Sequence, residues 1–206
     1  MGAGAPAGRR LWTRGRVGAP ALGSWQRVTA LRGHIYAAPD PAAPVLGSLS
    51  LGAQVVLSGA QAQEAGRVWA ELAWPGGWVQ RCLFRPLPPT PAQLAEQFLG
   101  TPYRWGGRSV WGIDCSGLVQ LLYAAYGLPL PRDSAAQRAA LPPVRVPQAG
   151  DLAFFPGHVG LMLDERRILH ATSYHMAVAI DVIGEAGGPY GEMLARDLLQ
   201  WGRIHK

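Results

Sequence analysis

Cys115, His158 and His170 are the residues of this chain whose types could do chemistry together. A thiol at its ordinary pKa is only slightly ionised at neutral pH. A nearby imidazole must therefore take its proton and later return it to a leaving amine. A second polar group must hold that imidazole in the right tautomer. The three residues fit these roles in order, as nucleophile, base and orienting partner.

The elements that would position them are legible around each one. Cys115 sits in Asp114-Cys115-Ser116-Gly117-Leu118, approached by Gly100-Thr101-Pro102-Tyr103-Arg104-Trp105-Gly106-Gly107. Leu118, Leu121, Leu122 and Ala125 come next at helical spacing, and Gly127 then Pro129 stop the pattern. Cys115 is thus expected in the first turn of a helix. Unpaired N–H groups and the positive end of the helix dipole favour a thiolate there. The expectation is an acidic thiol that also lies on the buried stripe, three residues before Leu118.

His158 and His170 fall on consecutive strands of an expected hairpin with Asp164-Glu165-Arg166 as its turn. A three-residue loop puts His170 opposite Gly160. His158 and Gly160 share a face, so both imidazoles project to one side, roughly 7–8 Å apart at the backbone. Gly160 leaves room between them, and Val159, Leu161 and Leu163 point the other way. A lone cysteine at a helix start is more often a buried small apolar residue. A lone histidine among apolar strand residues is more often a satisfied core residue. Two histidines on one face, opposite a helix-start cysteine, are less easily dismissed.

Composition sets the frame. With 206 residues, 49% of them hydrophobic, and eight tryptophans, the chain can bury a sizeable core and is not disordered as a whole. No apolar run approaches the roughly 20 residues of a membrane-spanning helix. The net charge of +6 is local: residues 1–32 hold six of the 19 basic residues and no acid, leaving 13 basic against 13 acidic. A basic arm on a neutral body argues against a nucleic-acid surface. The two cysteines, Cys82 and Cys115, do not make a disulfide framework. The N-terminus lacks an apolar run of the secretory type, so the cytoplasm is the expected location, with secretion as the alternative.

Along the chain, residues 1–23 read as a disordered basic arm rich in Gly, Ala, Pro and Arg. From 24 to 87, short apolar runs between turn residues predict five or six strands and a small all-β barrel. Pro86-Leu87-Pro88-Pro89-Thr90-Pro91 is a semi-rigid linker. Thr90 and Pro91 also open a helix over 92–99. In the C-terminal unit, 88–206, a short helical piece over 131–140 comes after the Cys115 helix. Strands are then expected at 151–155, 158–163, 167–171, 177–182 and 198–204. Helices first and an antiparallel sheet afterwards is the α+β pattern.

The runs around Cys115 and both histidines resemble the NlpC/P60 family of cysteine peptidases. So do Leu130-Pro131-Arg132-Asp133-Ser134, Gly150-Asp151-Leu152-Ala153-Phe154-Phe155 and Leu169-His170-Ala171. The resemblance covers about residues 91–175. It implies a papain-like α+β fold, a Cys115-His158-His170 triad and cleavage of bacterial wall peptides between γ-D-glutamate and a diamino acid. Residues 24–87 resemble a bacterial SH3-like domain through Ile35-Tyr36-x-x-Pro39, Leu51-Gly52 and Gly77-Trp78-Val79. That pairing is similar to the dipeptidyl-peptidase VI type, which needs a free N-terminal L-alanine on a murein peptide and uses the SH3-like domain to help close the cleft. By position, Tyr103 would line the site and hydrogen-bond the scissile carbonyl. Asp114 and Ser134 would bind the substrate amine. One departure stands: the loop Ala73-Trp74-Pro75-Gly76-Gly77 carries no acid, with Glu71 the nearest carboxylate and Trp74 the nearest aromatic.

The remaining candidates read plainly. Cys82 is expected to be a buried small apolar residue, and His34 and His175 surface or loop histidines. No His/Cys cluster has metal-ligand spacing and no glycine motif cradles a phosphate, so no cofactor is expected. The rival readings are an endo-acting murein hydrolase, an inert wall-peptide binding protein, and an acyltransferase using the same thiol.

Overall fold

The computed structural model describes residues 23–204. The arm expected over residues 1–23 therefore lies, except for Gly23, outside the described residues.

Six strands come first: β1 (Ser24–Arg27), β2 (Arg32–Tyr36), β3 (Val45–Ser50), β4 (Gln54–Glu64), β5 (Arg67–Trp74) and β6 (Trp78–Gln80). They pair antiparallel in the order β1-β4-β5-β6-β2-β3. Ala65 and Gly66, with φ of 46° and 79°, form the β4–β5 turn, the backbone that a two-residue hairpin of matching twist needs. The inward alternation buries Val28, Ile35, Val55, Leu57, Leu72 and Val79 in one cluster. The expected closed barrel is not shown. β1 is four residues long and pairs throughout with β4, so β1 and β3 remain two open edges.

Tyr126 anchors the proline-rich linker. Its hydroxyl lies 2.7 Å from Pro88 O and 2.8 Å from Thr90 O. Thr90 and Gln93 form a capping box at the start of α1 (Pro91–Glu96), with Pro91 in the first turn. α1 ends earlier than expected, and residues 97–100 continue as a turn. A small ribbon, β7 (Arg108–Ser109) and β8 (Gly112–Ile113), leads into α2 (Cys115–Ala125). After α3 (Ser134–Ala140) come β9 (Pro143–Val144), β10 (Leu152–Phe155), β11 (His158–Met162), β12 (Arg167–Thr172) and β13 (Ala177–Val182). α4 (Gly188–Asp197) and β14 (Gln200–Gly202) are the last described elements.

The second sheet is antiparallel in the order β13-β12-β11-β10-β14-β9. α2 packs Leu118, Val119 and Leu122 onto one face, against Phe154, Val159, Leu161 and Leu169. α4 covers the other face, where Tyr190 and Leu194 meet Ala153, Phe155, Met162 and Ile168. α4 hides in the sequence because glycines and Pro189 surround its start. Gly191 is required there, since a Cβ would lie 2.3 Å from Val182 O. The N-terminal sheet leans on the back of α2: Leu51 joins the α2 core, and Arg27 Nη1 donates to Ala124 O at 2.8 Å.

Candidate active site

Cys115 is the first residue of α2. Asp114 precedes it in extended conformation and caps the helix, with Oδ1 accepting from Gly117 N at 2.7 Å. The thiol is buried, 5% exposed, at the floor of a cavity of about 420 Å³ whose walls include Tyr103, Trp105, Phe155, His158 and Tyr174. Cys115 belongs to the α2 side of the sheet and the histidines to the α4 side. They meet because His158 begins β11 at the sheet's rim, beside the first turn of α2.

The hairpin register matches the expectation. Leu161 pairs with Leu169 and Leu163 N donates to Arg167 O at 2.8 Å, so the next steps place His170 opposite Gly160. Both imidazoles share a face, and His158 Nε2 lies 2.8 Å from His170 Nδ1. The room expected at Gly160 is occupied by protein: a Cβ there would lie 2.4 Å from Ile168 Cδ1 and 2.9 Å from His170 Cβ. Behind His170 stands Asp181, whose Oδ2 is 2.8 Å from His170 Nε2. His175 Nε2 reaches the same carboxylate, 3.0 Å from Oδ1. His175 is an exposed loop residue, as expected, but it is not idle. Tyr190 stacks on Tyr174 at 3.9 Å, and both present an edge-on ring to His175. Thr172 Oγ1 and the Tyr190 hydroxyl lie 2.8 Å apart.

Electrostatics corrects one expectation. Burial pushes the Cys115 thiol up, and the Asp114 carboxylate adds to that, while backbone N–H groups of Val159, Ser116 and Cys115 pull the other way without prevailing. Burial, helped by the neighbouring His170, pushes His158 down to about 3. The resting pair is thus thiol and neutral imidazole rather than thiolate and imidazolium. The helix start does favour the anion, as the sequence suggests, but desolvation at this depth outweighs it. Burial likewise raises the Tyr103 phenol, with Cys115 and Asp114 adding to the shift, which keeps it a donor.

The amine-binding candidates are placed differently from the triad. Tyr103 lines the cavity; Asp114 and Ser134 are not among its lining residues. Arg132 holds the Asp114 carboxylate in a fork, Nη1 to Oδ1 at 2.9 Å and Nη2 to Oδ2 at 2.5 Å, and Gly106 N donates to Oδ2 at 2.8 Å. Burial pushes the Asp114 carboxyl up, but the Arg132 and backbone hydrogen bonds overcome this and hold it below its ordinary value. Ser134 opens α3 and is half-buried. No residue of 24–87 lines the cavity, so neither Glu71 nor Trp74 borders it; Glu71 instead accepts from Ser58 Oγ at 2.7 Å. Cys82, expected to be buried, is exposed on a 3-10 turn just after β6, and both cysteines are free. That turn buries Leu83 in the core and turns the preceding side chain outward. Among the described residues, no group of three His, Cys, Asp or Glu side chains could hold a metal ion. No described helix is long and apolar enough to cross a membrane.

The fold is similar to that of an NlpC/P60 family protein of Bacillus cereus, with a TM-score of 0.68 at 23% identity, covering 87% of this chain and 62% of that one. Among curated relatives, dipeptidyl-peptidase 6 of Lysinibacillus sphaericus is 36% identical over 115 residues, 54% of this chain and 42% of its own. The γ-D-glutamyl-L-lysine dipeptidyl-peptidase of Bacillus subtilis is 37% identical over 103 residues, 45% of this chain and 35% of its own. The matches thus span less than half the length of either relative.

Residues 100–188 match the NlpC/P60 family.

Within this NlpC/P60 segment, sequence reasoning missed the roles of Arg132, His175 and Asp181, and beyond it Tyr190. Arg132 stood in the Leu130–Ser134 run, but nothing local says where its side chain goes. Asp181 lay on an expected strand; only the register of β12 with β13 brings it to the histidine face.

Proposed function

We propose that this chain is a cysteine peptidase that hydrolyses murein peptides at the bond between γ-D-glutamate and a diamino acid. The single observation carrying this reading is the 2.8 Å contact of His158 and His170 at the rim of the cavity that holds Cys115. In this reading the Cys115 thiol gives its proton to His158 as its sulfur attacks the γ-carbonyl carbon. The backbone N–H groups at the start of α2 and the Tyr103 hydroxyl serve the developing oxyanion. Collapse breaks the C–N bond, and His158 returns the proton to the departing amine. Water then hydrolyses the thioester with His158 as base. The name of the Bacillus subtilis relative supports the choice of bond.

The sharper form of the proposal adds an SH3-like unit over 24–87, a peptidase unit over 88–206, and a requirement for a free N-terminal L-alanine whose ammonium meets Asp114 and Ser134. A second reading, an endopeptidase with no amine requirement, is favoured by one observation: the Asp114 carboxylate is already engaged by Arg132, Gly106 N and Gly117 N.

The test is mass analysis of products from L-Ala-γ-D-Glu-diamino acid peptides, free and N-acetylated. Release of L-Ala-D-Glu by the wild type and none by Cys115→Ala is expected. A charge-assisted hydrogen bond to the ammonium predicts at least about tenfold higher kcat/KM for the free peptide. Equal values would leave the peptidase and remove the amine requirement. No cleavage of either peptide would remove the reading as a whole.

A further inference from the structure

Asp181 belongs to none of the motifs around the cysteine and the histidines, yet it ends a continuous hydrogen-bonded line that starts at the cavity. Its Oδ2 lies 2.8 Å from His170 Nε2, and His170 Nδ1 lies 2.8 Å from His158 Nε2. His170 is fully buried, 0% exposed, so each of its ring nitrogens must find its partner within the protein.

We propose that Asp181 is a positioning residue that sets the tautomer of both histidines, and through them turns a bare His158 nitrogen toward Cys115.

The positions of the ring protons follow from the partners of each nitrogen. An ionised carboxylate only accepts hydrogen bonds. Burial pushes Asp181 up, but the hydrogen bonds from His170 and His175 outweigh it and hold the carboxyl below its ordinary value. His170 Nε2 must therefore carry a hydrogen. A neutral His170 then has a bare Nδ1, which can only accept. His158 Nε2 must donate to it, so the neutral His158 keeps Nδ1 free of hydrogen. That is the nitrogen left to take the proton from the Cys115 thiol. Reversing any one contact would put the hydrogen on His158 Nδ1 and leave no bare, unengaged His158 nitrogen to take a proton. His175 keeps Asp181 in place by donating from Nε2 to the carboxylate. The Tyr174–Tyr190 stack holds the His175 ring edge-on, so this exposed histidine has a fixed orientation.

This inference rests on the peptidase reading for its consequence, but its first test needs no substrate. Long-range 1H–15N spectra of the histidine-labelled wild type at pH 7.5 should show His170 protonated at Nε2 alone and His158 likewise. His170 protonated at Nδ1, or at both nitrogens, would overturn the proposal. In Asp181→Asn the amide can accept or donate, so His170 should become a mixture of tautomers. An unchanged spectrum there would also overturn it. On a cleavable wall peptide, Asp181→Asn should lower kcat about tenfold to a hundredfold, the range of one charge-assisted hydrogen bond. KM should stay within about threefold, and Asp181→Glu should recover part of the loss. A kcat within about twofold of wild type would refute the positioning role. A wild type that cleaves nothing while showing the expected nitrogens would remove the peptidase reading and leave the tautomer assignment in place.

Discussion

His158 Nε2 stands 2.8 Å from His170 Nδ1, and the two rings meet at 60°. Of the two, only His158 lines the cavity with Cys115, while His170 is sealed behind it, so the proposed reaction asks unequal tasks of them.

Their variants should differ accordingly. His158→Ala is expected to lower kcat by about a thousandfold or more, within the usual span of general-base catalysis. His170→Asn should lose no more than about a hundredfold, since an amide oxygen can still accept the hydrogen from His158. Steady-state kinetics on the free wall peptide, with circular dichroism to confirm folding, checks the split. Equal and complete losses would refute it.

Stability should depend on pH through His158. Its folded pKa, about 3, lies below the ordinary 6.5, so folding favours the neutral ring. That contribution is fully present above about pH 6.5 and is lost as pH falls toward 3, at up to about 1.4 kcal/mol per unit. Between pH 7 and 5 the wild type should lose about 2 kcal/mol by denaturant unfolding. His158→Gln should flatten this window. Below about pH 4 the depressed carboxyls of Asp114 and Asp181 should add their own loss.

The two thiols should react in the reverse of the usual order for a nucleophile. Cys82 is exposed and should be alkylated readily by iodoacetamide. Cys115, buried and raised, should react slowly at pH 7 and accelerate only above the free-thiol region near pH 8.5. Rates measured separately in Cys82→Ser and Cys115→Ser decide it. A Cys115 rate that stays high at pH 6 would indicate a resting thiolate–imidazolium pair.

Arg132 should matter for more than charge. Its fork closes on Asp114, whose side chain is 8% exposed against 30% for Arg132. Arg132→Leu should cost about 2 kcal/mol of stability, less than a fully buried pair because the guanidinium is partly wet. It should also disturb the start of α2 and lower kcat/KM. Arg132→Lys should recover the charge but not the two-point grip, and so only part of both losses. Thermal unfolding and peptide cleavage measured on the same preparations test both effects.

Much of this architecture is written in short-range pattern. The apolar stripe of α2 and the stop at Gly127 act within a few residues of one another. The start of the Cys115 helix could therefore be read directly. The three-residue turn Asp164–Arg166 set the β11–β12 register, and with it the shared face of His158 and His170. Thr90 and Pro91 marked the start of α1 for the same reason. Its end was less legible, because Leu99 continued the apolar pattern although the helix stops at Glu96.

Everything beyond those local signals was decided by packing. Asp181 reaches His170 only because β12 and β13 pair with Ile168 opposite Asp181; a slip of one residue would turn the carboxylate to the α2 side. Arg132 finds Asp114 across the gap between the α2 start and the loop before α3, a distance no periodicity encodes. The open edges of the N-terminal sheet, the exposed Cys82 and the glycine-masked α4 likewise depend on which surfaces meet. The sequence by itself determined the helix-start cysteine, the paired histidines and their common face, because caps, turns and periods are local. Only the tertiary structure decided the charge states, since desolvation and hydrogen-bond partners depend on what the whole fold places around each group.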